Sequence, residues 1–234
     1  MLVASVASAQ AWATEYRSSF GFTFELSSDW LVLTRDEVAE MYRDETQASL
    51  GMIDVDQATA RAVLERVKRG EVEFYFDRKY SKPDLRNNIS VQLTQGGGRY
   101  TTSEMDEICR LIPEELPRVF GGEVEIVSCG LQELHGIGFL AYEYFLPAKK
   151  VHVVQFEIPY VSDTRVLLIG GAHTAALAYL KSAQAAIAKR IARFASENSG
   201  PDAAPAGRSN HQGQRRKPAK TSSSQSNAAR TRDR

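Results

Sequence analysis

The chain has 234 residues, 43% of them hydrophobic and 9% aromatic, which is enough for one packed domain without a disulfide or metal staple. Its two cysteines, Cys109 and Cys129, with no C-x-x-C pair, exclude a disulfide scaffold and a zinc ribbon. The 29 basic and 29 acidic residues balance overall but not locally: from Pro201 onward eight basic residues meet two acidic ones, a net +6 that leaves −6 for the rest.

Residues 1–13 open the chain with a short, mildly apolar run ending in Ala11-Trp12-Ala13. Small residues at these positions suit a signal-peptidase cleft and predict a cut before Thr14, although no Lys or Arg precedes the run. The alternative is a frayed N-terminal arm. A dozen residues cannot span a bilayer, which takes roughly 20, and no other stretch of the sequence could.

Past Tyr16, Phe20, Phe22 and Phe24 alternate with smaller or polar residues and predict a half-buried strand. Trp30-Leu31-Val32-Leu33 reads as the next strand, after a turn at Ser27-Ser28-Asp29. Thr34 and Glu37 form a capping-box pattern for a helix to about Asp44, and Asp56 can cap a second helix that stops at Gly70. Val72, Phe74 and Phe76, alternating with Glu73, Tyr75 and Asp77, predict a strand, as do Ile89, Val91 and Leu93. Ser103 then opens a helix bearing Met105, Ile108, Cys109, Ile112 and Leu116 on one face, which Pro113 and Pro117 are expected to kink or end early.

Four strands are expected next, as an antiparallel meander: 123–129, 136–146, 151–160 and 165–169. Thr174 caps a long amphipathic helix with Leu177, Leu180, Ile187, Ile191 and Phe194 on its apolar stripe. The domain is therefore expected over residues 14–198. Residues 199–234 have no aromatic or large aliphatic side chain, cannot offset their ordering entropy, and read as a disordered basic tail.

This order resembles the PsbP-like α/β/α sandwich family, an α+β fold in which helices cover an antiparallel sheet. The resemblance spans roughly residues 18–196. It is carried by Phe20-Gly21-Phe22-Thr23-Phe24-Glu25-Leu26 with Trp30, and by Val166-Leu167-Leu168-Ile169 leading into the helix that ends at Phe194. Ser27-Ser28 stands where relatives usually place a proline. The family mostly binds, assembles or chaperones, and the resemblance supplies no catalytic motif.

Gly96-Gly97-Gly98-Arg99, between a strand and a helix, could hold an anion on its backbone N–H groups, or simply be a surface connection. Gly170 and Gly171 read as turn residues of a second strand-to-helix connection, where His173 is a further anion contact or an exposed side chain. Cys129 and His135 are close enough in sequence for a nucleophile–base pair to be considered. Cys109 and Cys129 could form a disulfide in an oxidising compartment. His135, His152 and His173 lack metal-ligand spacing, and Glu114-Glu115 and Glu123/Glu125 read as solvated carboxylates, so no metal or other cofactor is expected. In the tail, Arg215, Arg216, Lys217 and Lys220 suit anionic envelope polymers, lipid headgroups or non-specific nucleic acid, with no aromatic for base stacking, or solubilise the chain with no dedicated partner.

The reading that follows is a non-enzymatic binding or assembly module, periplasmic or secreted, with an unidentified protein partner. The alternatives are a cytosolic chaperone or adaptor whose tail touches nucleic acid, and a small hydrolase using Cys129 and His135.

Overall fold

The structure, a computed structural model, describes residues 13–43, 57–80, 87–96 and 98–198. The elements there run β1 (Ala13–Arg17), β2 (Thr23–Ser27), β3 (Trp30–Leu33), α1 (Arg35–Arg43), α2 (Gln57–Lys68), β4 (Val72–Asp77), β5 (Asn88–Gln95), α3 (Thr102–Phe120), β6 (Glu125–Leu134), β7 (Ile137–Leu146), β8 (Val151–Pro159), β9 (Thr164–Ala172) and α4 (Leu177–Asn198). β1 and β2 form a hairpin of their own. The other seven strands make one antiparallel sheet in the order β3-β4-β5-β9-β8-β7-β6.

Period-two alternation divides the apolar side chains between the two faces of this sheet. On one face Tyr75, Ile89, Val91, Phe139, Ile158 and Leu168 meet α4 and the β2 hairpin in the largest core. The opposite face holds two smaller cores. α3 covers β7 and β8 through Met105, Ile112, Leu140, Tyr142 and Val153. α1 and α2 cover β3 and β4 through Val38, Leu64, Val67, Leu31 and Val72. Helices on both faces make an α/β/α sandwich, the fold class expected. β3 is apolar at every position because both its faces are covered.

β4 departs from the simple alternating pattern. Its charged members Glu73 and Asp77 are as buried as its apolar ones. Glu73 accepts hydrogen bonds from Ser18 Oγ, the Ser19 N–H and Tyr75 Oη. Asp77 accepts from the N–H groups of Lys79 and Tyr80 and from Asn87 Nδ2. A buried carboxylate needs such donors, and those of Glu73 on the β1–β2 turn come from more than fifty residues away.

Three local expectations are corrected. α3 does not stop at its prolines but runs through Pro113 and Pro117 to Phe120. Each proline forfeits a backbone hydrogen bond, at about 3 kcal/mol in a helix interior. Burial of Met105, Ile108, Ile112 and Leu116 against the sheet offsets that loss. The helix also starts earlier than Ser103: Thr101 is the N-cap, because Thr101 and Glu104 complete a reciprocal capping box.

Gly170 and Gly171 are not turn residues; they lie inside β9. A Cβ at Gly170 would come 2.8 Å from Gln184 Oε1 and 2.9 Å from Leu180 Cδ2, so this glycine lets α4 approach the sheet closely. Gln184, the polar gap in the α4 stripe, is buried there and donates Nε2 to Val154 O and Leu168 O. The turn follows at His173, which precedes a 3-10 turn at Thr174–Ala176 and then α4.

The meander also has shifted bounds. β6 reaches Leu134, and β9 reaches Ala172. His135 and Gly136 both take left-handed backbone (φ 51° and 74°) and form the two-residue turn joining β6 to β7.

Candidate functional site

α3 and β6 form one margin of the sandwich, β6 being the last strand of the sheet. Two contacts set the course of α3 along it. A disulfide joins Cys109 to Cys129 with their Cα atoms 5.6 Å apart. Eleven residues further on, the Phe120 ring lies 5.6 Å from that of Tyr144, the β7 partner of Ile126. As α3 proceeds from 109 to 120, its neighbours on β6 step back from 129 to 126, so the helix runs counter to the strand.

The N-terminal end of α3 is held by a polar network on the sheet. Tyr100 Oη donates to Glu157 Oε2 at 2.6 Å, and Gln155 Nε2 donates to Glu157 Oε1 at 3.2 Å. The Arg165 guanidinium stacks 3.8 Å over the Tyr100 ring and donates to Gly98 O. Burial, then the hydrogen bond to Glu157, push the Tyr100 phenol well above its ordinary value, so it stays a donor. Burial does the same for Tyr142, and raises Tyr144 to about 12. The last turn of α3 closes on Gly121 in left-handed conformation.

Most of the exposed large apolar side chains belong to this frame. Seven large apolar residues are exposed among the described residues, and five of them, Leu111, Val119, Phe120, Val127 and Leu131, belong to α3 and β6. Val119 is 73% exposed, Val127 54% and Leu131 46%. β6 itself bears Glu125 and Glu133, both exposed, and no Lys or Arg. Its pairing with β7 is regular from Ser128 to Leu134, with a bulge between Ile126 and Ser128. This margin combines exposed apolar side chains, a strand edge and exposed carboxylates.

The residues singled out from the sequence fall elsewhere or separate. Gly96 and Gly98 lie at the Thr164 end of the β5–β9 pair, while His173 lies past the opposite end, where Asn88 pairs Gly171. Seven residue steps of strand, roughly 23 Å at about 3.3 Å each, divide them, so the structure does not bring them into one anion site. The N-terminus of α3 beside Arg99 is occupied by the protein's own Glu104 carboxylate, whose pKa is lowered by the hydrogen bond from the Thr101 N–H. The His173 N–H donates to Asn87 Oδ1.

The Cys129–His135 nucleophile pair is corrected. Cys129 has its sulfur in the disulfide, and His135 sits in the hairpin turn six residues along, roughly 20 Å up an extended strand. His152 lies beside the buried Glu143, Nδ1 3.6 Å from Oε1, and Lys181 Nζ donates to the same carboxylate at 2.6 Å. Among the described residues no three of His, Cys, Asp and Glu converge as a metal ion would require, and no helix is long and apolar enough to cross a membrane. Residues 1–12 of the expected signal peptide, Asp56, Gly97 and the tail with Arg215, Arg216, Lys217 and Lys220 lie outside the described residues.

No family model matches the chain, and no curated protein matches it. Solved structures similar to it include cyanobacterial PsbP (CyanoP) from Synechocystis sp. PCC 6803, in solution. It is 13% identical, with 81% of this chain and 96% of that one covered and a TM-score of 0.46. A second is protein PA94 of Pseudomonas aeruginosa, 12% identical, with 76% and 94% covered and a TM-score of 0.40.

Proposed function

We propose that this chain is a non-catalytic binding or assembly module of the bacterial envelope, and that it meets its protein partner through the α3–β6 margin. The observation that carries this reading is that five of the seven exposed large apolar residues among the described ones, Leu111, Val119, Phe120, Val127 and Leu131, fall on α3 and β6. Scattered exposed apolar residues need no explanation, but a concentration of them marks an interaction surface. The frame beneath is tied by the disulfide and the Tyr100–Glu157–Arg165 network, so little ordering entropy would be lost when a partner docks.

The envelope assignment draws on the disulfide, because cysteine pairs persist in oxidising compartments. The basic tail suits anionic envelope polymers there.

Site-specific photocrosslinking in the native cells tests the reading. A photoreactive residue in place of Val119 or Val127 should give a discrete protein adduct. The same residue in place of Lys189, exposed on α4, should give none. Adducts from all three positions alike, or from none, contradict it.

A further inference from the structure

Among the described residues no strand pairs with the outer edge of β6, and that edge has a definite polarity. In a two-residue hairpin the pair closing the turn is hydrogen-bonded, and such pairs recur at every second residue. Leu134 and Ile137 close the turn here, and the register continues through Gln132–Phe139 and Gly130–Ala141. Gln132 and Gly130 therefore direct their backbone groups to β7. Cys129, Leu131 and Glu133 direct their N–H and C=O groups away from the sheet. The bulge between Ile126 and Ser128 ends this regular stretch, leaving an edge of seven residues, Ser128–Leu134.

Sheets commonly guard such an edge with lysines, prolines or a covering element. This strand has neither lysine nor proline. Lys149 and Lys150 belong to the β7–β8 turn, two strands into the sheet. The charges on the strand are Glu125 and Glu133, one toward each end, with the exposed Leu131 between them and Val127 at the bulge.

A second copy fits this edge poorly. It would bring a strand that carries Glu125 and Glu133, and no Lys or Arg, against a second strand of the same charge. Like charges brought together along a pair of strands are destabilising.

We infer that the β6 edge takes up an extended segment of a partner protein by strand addition, and that this segment carries apolar side chains flanked by Lys or Arg. The inference rests on the binding-module reading and specifies its docking mode. Main-chain hydrogen bonds to Leu131 and Glu133 give the segment its affinity. Apolar contact with Leu131 and the charges of Glu125 and Glu133 select its sequence.

The test is an NMR titration of the full, isotopically labelled chain with two seven-residue peptides that alternate Val and Thr. One ends in lysines, the other in glutamates. The lysine-ended peptide should shift the amides of residues 128–134 and bind roughly tenfold tighter than the other at low salt. Leu131→Pro, which removes an outward N–H that no described residue accepts, should abolish the response. The pair Glu125→Lys and Glu133→Lys, both at exposed positions, should reverse the preference while leaving the unfolding midpoint in place.

Equal affinity for both peptides, shifts away from β6, or an unchanged preference in the charge variant overturns the inference. So does dilution-dependent dimerisation that shifts the same amides, which would make a second copy the occupant. Crosslinks from Val119 and Val127 without any peptide response at β6 overturn strand addition and leave the binding module standing. Absence of those crosslinks overturns the module reading itself.

Discussion

Cys109 on α3 and Cys129 on β6 are joined across the margin of the sheet, twenty residues apart in sequence. The bridge anchors the middle of a helix that contains two prolines and packs on the outermost strand. Closing a loop of this length stabilises a fold by about 3 kcal/mol, mainly through the unfolded chain. Cys109→Ser or Cys129→Ser should therefore lower the unfolding free energy by about 2–4 kcal/mol, measured by urea denaturation. A reductant should do the same to the natural protein and leave the variants unchanged.

The redox state of the same pair in native protein tests the compartment. In protein taken from its native cells, the envelope reading predicts no free thiol, a mass lower by about 2 Da than the reduced form, and a first residue of Thr14. Two free thiols on a chain that keeps residues 1–13 would favour the cytosolic adaptor, and the affinity of the tail for nucleic acid would become the quantity to measure.

Gly170 and Gly171 are adjacent and chemically identical, yet they should respond differently to alanine. A Cβ at 170 meets Gln184 and Leu180 within 3 Å, whereas one at 171 has Val151 Cγ1 as its nearest neighbour at 3.9 Å. Gly170→Ala should cost about 1–3 kcal/mol by forcing α4 off the sheet. Gly171→Ala should be close to neutral. Thermal or urea unfolding of both variants separates the two cases.

Glu73 gives the fold a pH dependence whose sign is fixed by burial. Desolvation raises its pKa from the ordinary 4.5, and the hydrogen bonds from Tyr75, Ser19 and Ser18 only partly oppose this. A carboxyl whose folded pKa is raised binds its proton more tightly when folded. Its contribution is therefore most favourable below pH 4.5 and is lost as pH rises through the folded value. Glu73→Gln keeps an acceptor oxygen but cannot ionise. Relative to that variant, the natural protein should lose unfolding free energy as pH rises from about 4.5 toward neutrality. Parallel curves for the two proteins would contradict this.

Much of the fold was legible from local pattern. The alternation of Phe74 with Tyr75 and of Ile89 with Ser90 marks strands wherever they sit, and the apolar stripe from Leu180 to Ile191 marks α4. The partners of Glu73 were not legible, because Ser18 and Ser19 reach it only through tertiary folding. The continuation of α3 past Pro113 was missed because tertiary burial outweighed a local penalty. Gly170 reads as punctuation in sequence, since nothing local says that a glutamine fourteen residues later will rest on it.

The α3–β6 margin was legible only as a cysteine pair. Val127 and Leu131 have the same pattern in a central strand as in an edge strand. Their exposure follows from β6 lying last in the sheet, a long-range property of the order of strands.

The most direct test of this account is residue-resolved amide hydrogen exchange along β6 in the purified full chain. With the outer edge open, Leu131 and Glu133 should exchange close to the rate of unprotected amides, while Gly130 and Gln132 stay protected by their bonds to β7. That alternation would establish a strand edge available to a partner. Uniform protection from Cys129 to Glu133 would mean that the edge is already paired, and the binding surface would have to be sought elsewhere.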